Sequence, residues 1–257
     1  MHRFYIPPAA WNPDALLLTG SEAHHARNVL RLTPGNKVVL FNGRGREITA
    51  EILSLDAREV ALRKLHESST PPLRCRITLG QAIPKGKNMD LIVQKAVEIG
   101  ASEIVPIISD RTIVRLDEDD AAQKQAKWQT IAIEAAKQCG QNWLPEVQTP
   151  RTLAQFFAGQ PRFDLQLIGS LQSDALHLKQ ILADYSAAHG QRPAHVLMLI
   201  GPEGDFTPAE LNLARTHGAR PITLGPIILR VETAAIYCLS VLSYELLQRD
   251  NRRALEG

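Results

Sequence analysis

The stretch AHVLMLIGPEGDFTPAELNLARTHGARPITLG, Ala194 to Gly225, decides the fold. Val196–Ile200 is apolar at consecutive positions, as in a strand covered on both faces. Gly201-Pro202-Glu203-Gly204 then turns the chain. Thr207, Pro208 and Glu210 follow as N-cap, first helical residue and third helical residue, a capping box with the favoured proline. Gly218 stops that helix, and RPITLG reads as the next strand. Strand, turn, helix and strand in this order point to a parallel α/β sheet.

The same rhythm extends upstream. CRITLGQAI, Cys75–Ile83, is a strand. In NMDLIVQKAVEIG, Met89, Ile92, Val93, Ala96 and Val97 mark one helical face, and Gly100 ends it. EIVPIIS and FDLQLIGS are further strands. A long helix spans roughly Asp119–Cys139, with acids at its start where the macrodipole favours them. Another helical segment lies around Ala175–Tyr185, and a last helix runs over Glu232–Arg249. The first 70 residues differ. Short Val/Leu/Ile runs are broken by turns, with Asn42-Gly43 and Gly45 at a hairpin tip. Only SEAHHARNVLRL reads as helical there, with Ser21 as N-cap. Such spacing suggests a small β-barrel. Glu67–Pro72, ESSTPP, reads as a linker. The expected division is residues 1–70 and residues 73–257.

The chain has 257 residues, 44% of them apolar, so a sizeable core is expected. Net charge is +2, but residues 1–75 hold ten Lys/Arg against seven Asp/Glu and four of the eight histidines. That end hints at an anionic partner; a plain solvated surface is the other reading. Cys75, Cys139 and Cys238 are far apart, so neither a zinc site nor a disulfide framework has support. No signal-peptide core is visible at the N-terminus. The longest apolar stretch, Ala234–Leu247, falls short of the roughly 20 residues a membrane helix needs. A cytoplasmic protein with no membrane and no metal is expected.

Dinucleotide, P-loop, zincin and hydrolase signatures are missing. Two strand-to-helix loops stand in their place. One is Gly201–Gly204, where glycines let backbone approach a ligand; a plain turn needing glycine is the alternative. The other is LGPIILRVETA, Leu224–Ala234. It puts Arg230 and Glu232 at the mouth of an apolar helix suited to a core or an interface. Unpaired charge there is costly. The two residues therefore pair with each other or with Glu203, or they face a ligand.

IGPEGDF and LGPIILRVETA, with KGKNMDLIVQKAVEIG, HHARNVLRL and EAAKQCGQNWLPEV, resemble the RsmE family of 16S ribosomal RNA uracil-N3 methyltransferases. The resemblance spans nearly the whole chain. It implies a C-terminal SPOUT α/β domain with a trefoil knot, an N-terminal PUA-like β-barrel that binds RNA, and a homodimer. It also implies S-adenosyl-L-methionine as cofactor and 16S rRNA in the small ribosomal subunit as substrate. The cofactor would lie among Leu167, Ile168 and Gly169, then Ile200, Gly201, Pro202, Glu203 and Gly204, then Leu224, Gly225, Ile228 and Leu229. Arg230 would stabilise the uracil anion, with Glu232 or Glu203 orienting it or accepting the N3 proton. Arg3, His24, His25, Arg27 and Arg31 would contact RNA, Arg27 and Arg31 from one helix face, joined by Lys85 and Lys87. Two positions depart from the family pattern. Asp205 stands where a second glycine is usual, and Gln141 where many members have arginine. An RNA-binding protein of this fold without catalysis, and a different α/β nucleotide-binding enzyme, are the rival readings.

Overall fold

A computed structural model describes residues 1–112, 117–159 and 162–247. The chain divides into two compact units: Met1–Pro72 with Ile133–Leu144, and Leu73–Ala132 with Pro145 onward.

The first unit is a five-stranded sheet. Its strands are β1 (Arg3–Tyr5), β2 (Leu16–Thr19), β3 (Lys37–Phe41), β4 (Arg46–Leu55) and β5 (Glu59–Ser69), in the order β1-β3-β4-β5-β2. β1 runs parallel to β3 and the other pairs are antiparallel. Register shifts at Thr49/Ala50 and Ile52/Ser54 bend the long β4–β5 pair. The sheet curls, as the small barrel read from the sequence requires, and its edge strands β1 and β2 are not paired with each other. Leu16 and Leu18 point into the core with Phe4, Val38, Leu40, Ile48, Ile52 and Val60, while Leu17 and Thr19 face out.

Two local expectations are corrected by the structure. Glu67–Ser69 continue β5, because Arg46 ion-pairs with Glu67 across the ladder and the backbone pairing runs on to Ser69. The helix α1 is only Gly20–His24, with Thr19 rather than Ser21 at its N-cap position, and continues as a π-helical turn over His25–Val29.

Gln141–Leu144 completes this unit from far along the sequence. Gly45 donates its N–H to Asn142 O at 2.9 Å, and Gly45 O accepts from Thr70 N at 2.7 Å. The Asn142 side chain donates to Thr70 Oγ1 and accepts from Arg3, and the Trp143 indole donates to Thr70 O.

The second unit is an eight-stranded parallel sheet. Its strands are β6 (Arg76–Ala82), β7 (Glu103–Ile108), β8 (Glu146–Val147), β9 (Arg151–Thr152), β10 (Leu165–Gly169), β11 (Leu176–His177), β12 (His195–Ile200) and β13 (Ala219–Thr223). The order is β11-β13-β10-β12-β6-β7-β8, with β9 also on β7. Helix α2 (Asn88–Ile99) buries the five residues its periodicity marked, and Gly100 ends it at φ 97°. Helix α3 (Glu118–Cys139) places Trp128 in the core, its indole donating to Asp90. Helices α4 (Leu153–Ala158) and α5 (Leu178–His189) follow. α5 begins later than the expected Ala175, because Leu176–His177 pair with β13. Helix α6 (Pro208–Thr216) has the full Thr207–Glu210 capping box. Helix α7 (Val231–Leu246) is buried along one side but leaves Tyr237 and Tyr244 exposed. The expected extension to Arg249 falls outside the described residues.

At the other end of the sheet, Thr78 Oγ1 donates to Glu103 Oε2 at 3.0 Å and lies in hydrogen-bond contact with His195 Nε2, also at 3.0 Å. Burial, and next the Arg76 charge, hold the His195 imidazole below its ordinary range; Glu103, Asp164 and a hydrogen bond to the Arg162 backbone oppose this. The native state thus favours the neutral ring. Its stability contribution is full above the unfolded histidine value and is lost as pH falls toward the lowered native one. Between about pH 7 and about pH 5 the parent's melting temperature should fall more than that of His195→Gln. Parallel melting curves for the two proteins would contradict this.

Candidate active site

Strands β10, β12 and β13 end on one cavity of about 420 Å3 in the second unit. Gly169, Ser170 and Leu171 follow β10. Gly201, Pro202, Glu203 and Asp205 follow β12, whose last residue Ile200 also lines the space. Leu224, Gly225, Ile227, Ile228, Leu229 and Arg230 follow β13. The start of α7 adds Val231, Glu232 and Ala234, and the start of α2 adds Asn88. Ligands bind at such carboxyl ends because the loops diverge there and leave a crevice.

The backbone of each loop has its own requirement. A Cβ on Gly201 would meet Asp205 Oδ1 at 2.9 Å and Phe206 N at 3.1 Å, so the turn closes tightly there only without a side chain. Gly225 has open space around it but sits at φ +107°. Asp205 has φ 61°, a region that suits glycine, and its Oδ1 accepts from Phe206 N at 2.7 Å. A short side chain that hydrogen-bonds locally tolerates this conformation. The aspartate thus meets the backbone need that glycine serves elsewhere.

The expected site residues separate by position. Gly169, Ile200, Gly201, Pro202, Glu203, Leu224, Gly225, Ile228, Leu229, Arg230 and Glu232 all line the cavity. Leu167 and Ile168 do not; both are fully buried in the sheet. Gly204 does not either, and its carbonyl accepts from the Arg111 guanidinium. Asn88, Ser170, Leu171, Asp205, Ile227, Val231 and Ala234 also line the cavity, outside the set the sequence points to. A polar residue opening a helix carries no motif, but Ile227 lies inside the loop already singled out.

Neither charge pairing considered from the sequence forms. Glu203 Oε1 accepts from the Lys85 backbone N–H at 2.9 Å, and Glu232 Oε2 accepts from Asn88 Nδ2 at 3.2 Å. Arg230 is exposed, lines the cavity, and has no ion-pair partner among the described residues. It is the N-cap residue of α7, yet its side chain makes no capping bond. Around it the wall is apolar: Ile227 and Ile228 are 73% and 78% exposed. Lys85 and Lys87 are exposed on the loop that supports Glu203 and leads into Asn88.

In the first unit the expected cationic cluster is only partly free. Arg3 is held by Glu47 at 2.5 Å and Asn142 at 2.6 Å, and lies over the Phe41 ring. His25 sits edge-on to Phe4, and His24 bonds Asn28 at 2.8 Å. Arg27 and Arg31 are exposed. They do not share a helix face, because the π-helical turn changes the phase and Arg31 lies beyond it at φ 52°.

A strand-end cavity with an exposed arginine on its wall, in a chain that also folds a curled sheet, defines a class that comparison with known proteins identifies. Residues 71–243 match the family described as RNA methyltransferase domain, and residues 18–65 match the RNA methyltransferase PUA domain. Ribosomal RNA small subunit methyltransferase E of Bacillus subtilis is 32% identical over 240 residues, covering 91% of this chain and 92% of that protein. A solved structure of this enzyme from Neisseria gonorrhoeae, bound to S-adenosyl methionine, is 33% identical with a TM-score of 0.82, covering 95% and 98% of the two chains. A Legionella pneumophila methyltransferase in complex with the same cofactor is 35% identical with a TM-score of 0.84, covering 95% and 97%. The chain belongs to the ribosomal RNA small subunit methyltransferase E family.

Proposed function

We propose that this protein methylates N3 of a specific uridine in 16S ribosomal RNA within the small ribosomal subunit, with S-adenosyl-L-methionine as methyl donor. The observation that carries the reading is Arg230, a cation with no ion-pair partner among the described residues, on the wall of a cavity with large exposed apolar residues. The cavity suits the cofactor. Its volume lies in the usual range for ligand sites, its glycine edges expose backbone polar groups, and Leu224, Ile227 and Ile228 offer a face for a flat ring.

When bound, the cofactor supplies an electrophilic methyl group to the ring nitrogen. The protein's own part is positioning and charge. N3 carries a proton at neutral pH and becomes a good nucleophile only when that proton leaves. Arg230 would then stabilise the negative charge spread over the uracil carbonyl oxygens. Glu203, tied at its rim to the Lys85 backbone, fixes the Gly201–Gly204 turn against the loop after β6.

RNA contacts fit the exposed Arg27, Arg31 and His24 of an RNA-binding region, residues 1–70, and Lys85 and Lys87 in a methyltransferase region, residues 73–257. Homodimer formation belongs to the same reading, supported by the exposed Ile227, Ile228, Tyr237 and Tyr244. So do a trefoil knot around the cofactor loops and a cytoplasmic setting.

The test is methyl transfer from labelled cofactor to small subunits lacking the modification, followed by nucleoside mass spectrometry. Label in 3-methyluridine is the expected result. Label in another nucleoside, or none, would refute it.

A further inference from the structure

Three carboxylates line the cavity; Asp205 accepts from Phe206 N in its own turn, while Glu203 and Glu232 are held by one segment, from the loop after β6 to the first residue of α2, in different ways. Glu203 is exposed and accepts from a main-chain N–H, that of Lys85. Glu232 is half-buried and accepts from a side chain, Asn88 Nδ2, at 3.2 Å. A carboxylate facing an amide can only accept, so Nδ2 must be the atom turned toward Glu232. That bond occupies Oε2 and leaves Oε1 for another partner. Both residues line the cavity, as does Arg230, two positions before Glu232. Lys87, the N-cap residue of α2, makes no side-chain cap, and Asn88 likewise turns its side chain to another helix rather than to its own helix end.

We propose that Asn88 is a positioning residue that locks Glu232 as the acceptor of the uracil N3 proton, while Glu203 serves the turn and takes no proton. In this step the N3–H bond breaks, its electron pair stays on N3, and an O–H bond forms at Glu232 Oε1. Arg230 faces the resulting anion. The inference rests on the uridine methylation proposed above and assigns its proton acceptor.

The substitutions Asn88→Ala, Asn88→Asp and Glu232→Gln, and the double variant Asn88→Ala/Glu232→Gln, test it. Asn88→Asp is the decisive change, since it keeps the shape and replaces a donor by an acceptor. At the first turn of α2 an aspartate favours the helix. An Asn88 that served only to start α2 therefore predicts an Asn88→Asp variant as good as the parent. A positioning Asn88 predicts the slowest of the single variants at this position, with the acid limb of its rate–pH profile moved to higher pH, because two facing carboxylates disfavour their charged forms.

Asn88→Ala should lower kcat by about 10- to 100-fold with KM for the RNA within about threefold, and should add nothing to the loss in Glu232→Gln, because removing the second member of a coupled pair costs little. Titration calorimetry of the free proteins should give the same affinity for S-adenosyl-L-methionine in all variants, within about threefold. Parent-like turnover in Asn88→Asp, or losses that multiply in the double variant, would overturn the assignment. A parent that methylates no uridine would overturn the function itself, a result separable from either.

Discussion

Replacing Arg230 by alanine is expected to lower methyl-transfer kcat by about 10²- to 10³-fold, the loss typical of removing one donor from an anion-stabilising site. Three features make the result interpretable. The guanidinium is exposed, so no buried charge loses a partner. Its side chain makes no capping bond to α7, so the helix keeps its start; Ala234 N still bonds Arg230 O at 2.8 Å. Glu203 and Glu232 bond elsewhere, so neither is left without its hydrogen-bond partner. The variant should therefore melt like the parent and bind S-adenosyl-L-methionine within about threefold of it. Turnover at the parent rate would remove Arg230 from the chemistry, and loss of cofactor affinity would reassign it to cofactor binding.

Gly45→Ala should have the largest effect on stability. Gly45 lies at φ +85°, and a Cβ there would meet Thr70 O at 2.6 Å and Trp143 Cε2 at 2.8 Å. One of these is main chain and the other an indole anchored on that same carbonyl, so neither can step aside alone. Left-handed strain of about 1–2 kcal/mol adds to overpacking of about 1–3 kcal/mol. The first unit should lose about 2–5 kcal/mol, which for a unit of this size moves its melting point by on the order of 10 °C or more. Gly35 is the internal control: its φ is +88°, but a methyl group there would have nothing within 4 Å of it. Gly35→Ala should show the strain and not the clash. Equal losses in the two variants, measured by chemical denaturation, would show that the clash relaxes.

Local patterns carried much of the α/β unit into view. The Thr207–Glu210 box, the face of α2 and the stop at Gly100 all depend on residues within a few positions of each other. Features that depend on residues distant along the chain are less legible in the sequence. The family resemblance groups Leu167 and Ile168 with Gly169, and a strand covered on both faces shows no alternation to mark which residues reach its open end. Glu67–Ser69 look like a linker by composition, yet Arg46 on the neighbouring strand holds Glu67 in the ladder. Asn88 has no motif. It gains meaning only when Glu232, 144 positions later, folds beside it. Arg27 and Arg31 align only on an α-helical period, and the chain makes a π-helical turn there.

The contribution of Ile133–Leu144 to the first unit bears on modularity. The two units are compact, yet they are not consecutive beads, and no single cut releases them intact. A fragment ending at Pro72 would strand the Arg3 donor that meets Asn142, the Thr70 carbonyl that meets Trp143, and the Gly45 N–H. The β-sheet half of this protein therefore cannot be exchanged like a cassette. Whatever sequence variation it explores must remain compatible with a tetrapeptide, Gln141–Leu144, encoded in the middle of the other half.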